Sequence, residues 1–221
     1  QSGHTWESDN YAFVSADRAR SPAKPTVDIE PSYENHPVGG RPPIDAHKVR
    51  TQAYTAMLAG AAGHGYGALD LFCFFKGADG PFPRGGGGWK EPAFQHWRTA
   101  LAYEGSAHMG LMRGLFEARP WHKLIPGQSL IASYKGEGIR RRVAARAADG
   151  SFMLAYLPEG GSITMRGLDG LAGASLTARW FDPRTGAWRD IGRFPVSASR
   201  SFAAPSSGEQ GDWLLVLDAT D

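Results

Sequence analysis

The sequence predicts an α/β unit with parallel strands, followed by a small antiparallel β-sandwich. Three observations predict it. Between Lys24 and Phe75 an apolar run, an amphipathic run and a second apolar run follow one another, which is the spacing of a strand–helix–strand unit. Beyond Gln128 the apolar period changes from helical to alternating. The alternating stretches are separated by Asp149-Gly150, Glu159-Gly-Gly161 and Asp182-Pro-Arg-Thr-Gly186, all of them turn chemistry.

Gln1 to His4 reads as the tail of a strand. Ser8 or Asp9 can cap a helix through Tyr11, Phe13, Val14 and Ala16 to Arg20, stopped ahead of Pro22. Lys24 to Ile29 is a buried strand with Glu30 as its last residue, because Pro31 supplies no ladder N–H. Asp45 caps a helix whose apolar stripe is Val49, Ala53, Met57 and Leu58, ended by Gly60 and Gly63. Ala68 to Phe75 is then a second, fully buried strand that carries the lone cysteine, Cys73, as a core thiol. Lys76 to Pro92 holds four consecutive glycines, three prolines and Trp89, so it is a long surface loop of the kind that carries function.

A helix from Ala93 to Glu117 shows a broad apolar face through Phe94, Trp97, Leu101, His108, Leu111, Met112 and Leu115. Trp121 to Gln128 is a linker. The strands beyond it are 141–147, Phe152–Leu157, Ser162–Met165, Leu176–Phe181, Trp188–Ile191 and Trp213–Leu217.

Asp28, Glu30 and Glu34 place three carboxylates on and just past the first strand, beside Tyr33 and His36. Glycoside chemistry needs such carboxylates, one to attack or steer water and one to move the proton. A parallel sheet carries its sites at the carboxyl ends of its strands, where Glu30 stands. The plainer alternative is a strand-end cluster that caps the next helix or holds an arginine.

Composition excludes other classes. The 221 residues are 42% hydrophobic and 21% charged, with a net charge of +2 and scattered Lys and Arg, so nothing points to nucleic acid. A single cysteine excludes an intrachain disulfide. No apolar stretch has the length to span a bilayer. His47, His96, His108 and His122 lack acidic neighbours at ligand spacing, and neither a metal nor a cofactor is expected. The chain begins at Gln1 without an initiator methionine, which reads as a piece of a longer protein and makes a missing signal uninformative.

The runs KPTVDIEPSYENHP (24–37), RTQAYTAMLAGAAGHGYG (50–67), ARPWHKLIPGQSL (118–130) and WFDPRTG (180–186) occur in one order over nearly the whole chain. In them the sequence resembles the apiosidase-like glycoside hydrolases, which are (β/α)₈ TIM barrels often followed by a small β-domain named for collagen binding. The resemblance implies that residues 1–125 are the C-terminal portion of the barrel and 126–221 the β-sandwich. Gln1–His4 would end strand six, Lys24–Glu30 would be strand seven and Ala68–Phe75 strand eight. A whole barrel takes about 250 residues, so strands one to five lie outside this sequence. The N-terminal half of the barrel is therefore expected as a separate chain or a missing segment.

The resemblance makes Glu30 the nucleophile of a retaining hydrolase, although Ile29 stands where the family carries a small residue. The acid/base, at the end of strand four, falls outside the sequence. His4, Trp6, Tyr33, Glu34 and Trp89 are the candidate substrate contacts, with loop anchoring the competing role for both tryptophans and backbone capping for His4. His64 and Tyr66 fall toward the amino-terminal end of strand eight and read as structural. The expected substrate is plant or microbial polysaccharide, and the expected location is secreted or periplasmic. Two alternatives stand beside the enzyme. One is a carbohydrate- or protein-binding β-domain on a non-catalytic barrel remnant. The other is a β-domain that buttresses the barrel, which Pro120-Trp121 and the tryptophan-bearing strands favour.

Overall fold

A computed structural model describes residues 10–38, 41–77 and 94–221 of the chain. Helix α1 (Asn10–Arg18) leads to strand β1 (Val27–Asp28), flanked by Pro25 and Pro31. This strand is shorter than the sequence predicts, and Ile29 is exposed. Helix α2 (Ala46–Leu58) starts at the predicted cap: the Asp45 carboxylate accepts the Lys48 N–H at 2.8 Å. Strand β2 (Gly63–His64) follows and pairs parallel with β1, Val27 opposite Gly63 and Asp28 opposite His64. A further parallel bridge joins Glu34 to Ala68.

The strand–helix–strand unit is thus present, but its second strand lies earlier than predicted. The run Ala68–Phe75 forms a single helical turn, α3 (Leu69–Phe72), followed by a turn in which Phe74 has φ +52°. The cause is Asp70, a fully buried carboxylate in the middle of the run. Three donors converge on it, and an extended strand would carry it away from them. Phe72 and Phe74 end up exposed, and Cys73 is partly exposed rather than a core thiol.

The predicted 93–117 helix is two helices among the described residues, α4 (Trp97–Ala100) and α5 (Glu104–Glu117). The chain leaves the helix at Tyr103, whose hydroxyl reaches Asp70.

The predicted linker contains strand β3 (Leu124–Pro126). Strands β4 (Val143–Ala147), β5 (Phe152–Leu157), β6 (Gly160–Arg166), β7 (Ser175–Phe181) and β8 (Trp188–Pro195) follow. Strand β9 (Ser199–Ser207) is not apparent from the sequence, because Phe202 is the one large apolar residue in a polar run. Strand β10 (Trp213–Thr220) ends the series. One sheet has the order β3-β4-β5-β10-β7-β8 and is antiparallel throughout; β6 and β9 form a separate antiparallel pair.

Both faces of the six-stranded sheet are covered. Phe152, Leu154 and Tyr156 of β5 pack with Tyr54, Leu58, Met112 and Phe116 of α2 and α5. The intervening Met153, Ala155 and Leu157 pack with Ile163 and Met165 of β6 and Phe202 of β9. Strand β10 alternates in the same way, Leu214 and Val216 toward the helices, Trp213, Leu215 and Leu217 toward the small pair. Central strands covered on both sides read as continuous apolar runs.

Candidate active site

The site grows from the carboxyl ends of β1 and β2. Glu30 stands two residues past β1 with its side chain exposed, and its Oε1 accepts the Tyr33 hydroxyl at 3.1 Å. Burial, and then the hydrogen bond and negative charge of Glu30, push the Tyr33 pKa up, so the phenol keeps its proton and donates. The Tyr33 ring is held on two sides. A Cβ on Gly67 would collide with it, and the Phe72 ring lies 5.5 Å away at 56°.

Glu34 is a different kind of carboxylate. It is 7% exposed. One oxygen accepts the Tyr66 hydroxyl at 2.7 Å and the other the Gly105 N–H at 3.1 Å. Gly105 is the second residue of α5, so the carboxylate satisfies an orphan donor at the positive end of a helix. A side chain at position 105 would collide with that carboxylate, which is why a glycine stands there. Burial pushes the Glu34 carboxyl up, and the two donors pull it partway back. The backbone is held too: its N–H donates to Gly67 O at 2.9 Å and its carbonyl accepts from Leu69 at 3.0 Å.

Asp70 ties the remaining pieces together. It accepts from the Asn35 side chain at 2.9 Å, the Tyr103 hydroxyl at 2.7 Å and the Gln95 N–H at 2.6 Å. Burial and these acid partners raise the pKa values of Tyr66 and Tyr103 well above the ordinary tyrosine value, so both remain donors.

Beneath the loop lies a buried polar layer. His64 Nδ1 is 3.3 Å from Asp28 Oδ2 without the alignment of a hydrogen bond. The Asn10 amide donates to Asp28 at 3.3 Å and to the Gln52 carbonyl at 2.7 Å, and the Gln52 side chain accepts the Ser32 N–H at 2.9 Å.

The sequence expectations meet this geometry unevenly. Glu30 and Tyr33 are brought together, and Glu34 lies behind them in the interior. The positions of His64 and Tyr66 are corrected: because β2 is Gly63–His64, both stand at the carboxyl end of their strand rather than at its start. His4, Trp6 and Trp89 lie outside the described residues. Sequence reasoning missed Asp70, Phe72 and Tyr103. Asp70 carried a signal, a lone carboxylate inside an apolar run. Among the described residues no group of His, Cys, Asp and Glu could hold a metal ion.

Comparison with known proteins gives a consistent picture. Residues 1–123 match a family described as "Apiosidase-like, catalytic domain", and 125–218 match one described as "Putative collagen-binding domain of a collagenase". A solved structure described as a glycoside hydrolase is 29% identical with a TM-score of 0.83, over 96% of this chain and 46% of that one. Another, a glycoside hydrolase family 5 protein from Bacteroides vulgatus ATCC 8482, is 31% identical with a TM-score of 0.83, over 96% of this chain and 45% of that one. The chain thus spans less than half the length of each. No curated protein matches it.

Proposed function

Because the chain belongs to the apiosidase-like catalytic family, we propose that it supplies the nucleophile of a retaining glycoside hydrolase, with Glu30 in that role. One observation carries this reading. Of the two rival carboxylates, Glu30 is exposed at the end of the parallel pair, whereas Glu34 is buried with both oxygens bonded internally. A nucleophile has to reach a sugar, and Glu34 cannot.

In the first step a Glu30 oxygen forms a bond to the anomeric carbon while the glycosidic bond breaks and the leaving oxygen takes a proton from the acid. In the second, water attacks the anomeric carbon, the bond to the Glu30 oxygen breaks to release its carboxylate, and the same acid, now a base, takes the water's proton. Tyr33 orients the Glu30 carboxylate through its hydroxyl. Phe72, 69% exposed and in contact with the Tyr33 ring, offers an apolar face to a sugar. Glu34 acts as a positioning residue, holding Tyr66 and the start of α5.

The reading includes three further assignments. The parallel pair continues into a (β/α)₈ barrel whose other strands lie outside this sequence, and one of them carries the acid/base about 5 Å from Glu30. The β-rich half is a sandwich that buttresses the barrel, supported by the helices α2 and α5 seated on its larger sheet. The substrate is a plant or microbial polysaccharide met outside the cytoplasm, with His4 assigned to it as the end of strand six and Trp6 and Trp89 as loop aromatics able to stack on a sugar.

The test uses protein that includes the remaining barrel strands. Glu30→Gln should lower turnover by several orders of magnitude without unfolding the protein. Glu34→Gln should cost about 10²-fold, the scale of a misplaced catalytic group. Azide should rescue Glu30→Ala and yield a glycosyl azide of inverted configuration. Rescue at Glu34→Ala, with Glu30→Gln still active, would identify the other carboxylate as the nucleophile.

A further inference from the structure

The chemistry proposed for Glu30 leaves the junction of α2, α5 and the β-rich half unused. Arg50 of α2 and Asp212, the residue before β10, form a bidentate pair at 2.9 and 2.8 Å. Their side chains are 4% and 0% exposed. Tyr156 donates to the same carboxylate at 2.9 Å, and the Thr51 hydroxyl lies 3.2 Å from Tyr156. The remaining Arg50 nitrogen, Nη1, lies 3.0 Å from His108 Nδ1 on α5. A guanidinium only donates, so Nδ1 is the acceptor and the ring proton sits on Nε2. The main chain of Arg184, in the turn between β7 and β8, lies beside the same ring.

His108 lies in the first turns of a helix that begins at Glu104. Gly105, whose N–H the Glu34 carboxylate accepts, lies one turn before it. The start of α5 is therefore gripped from two directions, by the β-rich half and by the loop that carries Glu30. A buried ion pair is a weak source of net stability, because desolvation offsets the attraction. What the bidentate fork and the single tautomer do supply is a defined geometry.

We infer that Asp212, Arg50 and His108 make the β-rich half a positioning module for the candidate catalytic loop. They set where α5 begins, and that sets Glu34, Tyr66 and, through the 30–34 backbone, the Tyr33–Glu30 pair. His108 and Asp212 are positioning residues in this scheme and touch no sugar. The inference rests on the reading of Glu30 as nucleophile, but it can be tested without substrate.

The experiment is amide hydrogen exchange on the full chain. His108 borders a cavity of about 560 Å³, so a substitution there has room to settle. His108→Leu keeps bulk and removes the acceptor; it should speed exchange at Gly105 about tenfold or more while amides of β5 and β10 stay protected. His108→Asn, whose Oδ1 can stand near the Nδ1 position, should restore most of that protection. Asp212→Asn should loosen Gly105 as well. Unchanged Gly105 protection in both His108→Leu and Asp212→Asn would overturn the inference, since the latch would then hold only its own turn. Equal loosening of β5 and β10 would overturn it too, because the latch would be adding global stability alone. If Gly105 loosens but Glu30→Gln leaves hydrolysis intact, the latch stands and the nucleophile reading falls; the opposite pair of results reverses those conclusions.

Discussion

Two carboxylates four positions apart, Glu30 and Glu34, differ in one physical respect. One faces solvent past the end of a strand, and the other is sealed behind it against a helix N-terminus. The sealed position explains a glycine. In a helix interior glycine normally costs about 0.5–1 kcal/mol relative to alanine. Gly110 and Gly114 of α5 have open space where a Cβ would go, so alanine at either should stabilise by about that amount. Gly105→Ala should have the opposite sign and cost about 1–3 kcal/mol, the scale of overpacking, because the new methyl displaces the Glu34 carboxylate. Denaturant unfolding of the three variants checks the contrast. Equal stabilisation by all three would mean that Glu34 does not occupy the place described.

At the scale of elements, periodicity and burial explain where the strands are. Strand β5 is buried along its whole length because helices cover one face and the β6–β9 pair covers the other. Leu154 points at the helices, so Leu154→Ala removes contacts between the two halves as well as contacts with its neighbours in the sheet. The expected cost is about 2–5 kcal/mol by denaturant unfolding, with the cavity term included. A cost under about 1 kcal/mol would show that α2 and α5 do not pack where they are described. The same reasoning accounts for α3: a buried Asp70 with three donors outweighs the β tendency of the phenylalanines around it.

For the molecule as a whole, the joint between the halves is partly ionic and should respond to pH. His108 faces Arg50 on α2, Glu104 on its own helix, Asp212 ahead of β10 and the main chain of Arg184. Burial, and then the Arg50 charge, push its pKa down. A depressed histidine pKa means that the unfolded chain binds the proton more readily than the folded one. The contribution is therefore fully present above the unfolded value of about 6.5 and is lost as pH falls below it. Thermal melts from pH 8 down to pH 5 should show this loss, and His108→Asn should flatten it. An unchanged slope in that variant would move the effect to another group.

The sequence by itself determined most of the β-rich half, the α2 helix with its Asp45 cap, and the nearness of Glu30 to Tyr33; the strand before them ends at Asp28, two residues short of Glu30. These are local facts: a period of two or of 3.6, a proline that ends a ladder, an acid that caps an amide. The tertiary structure alone decided that the Ala68–Phe75 run folds as a turn, that β9 is a strand and that Glu34 is shut away. It also decided that Asp212 meets Arg50 from 162 positions along the chain. A pattern in sequence reports how often a side chain faces one way, but not which distant group it will meet. That partner sets whether a carboxylate stays in water to react or is buried to hold a helix.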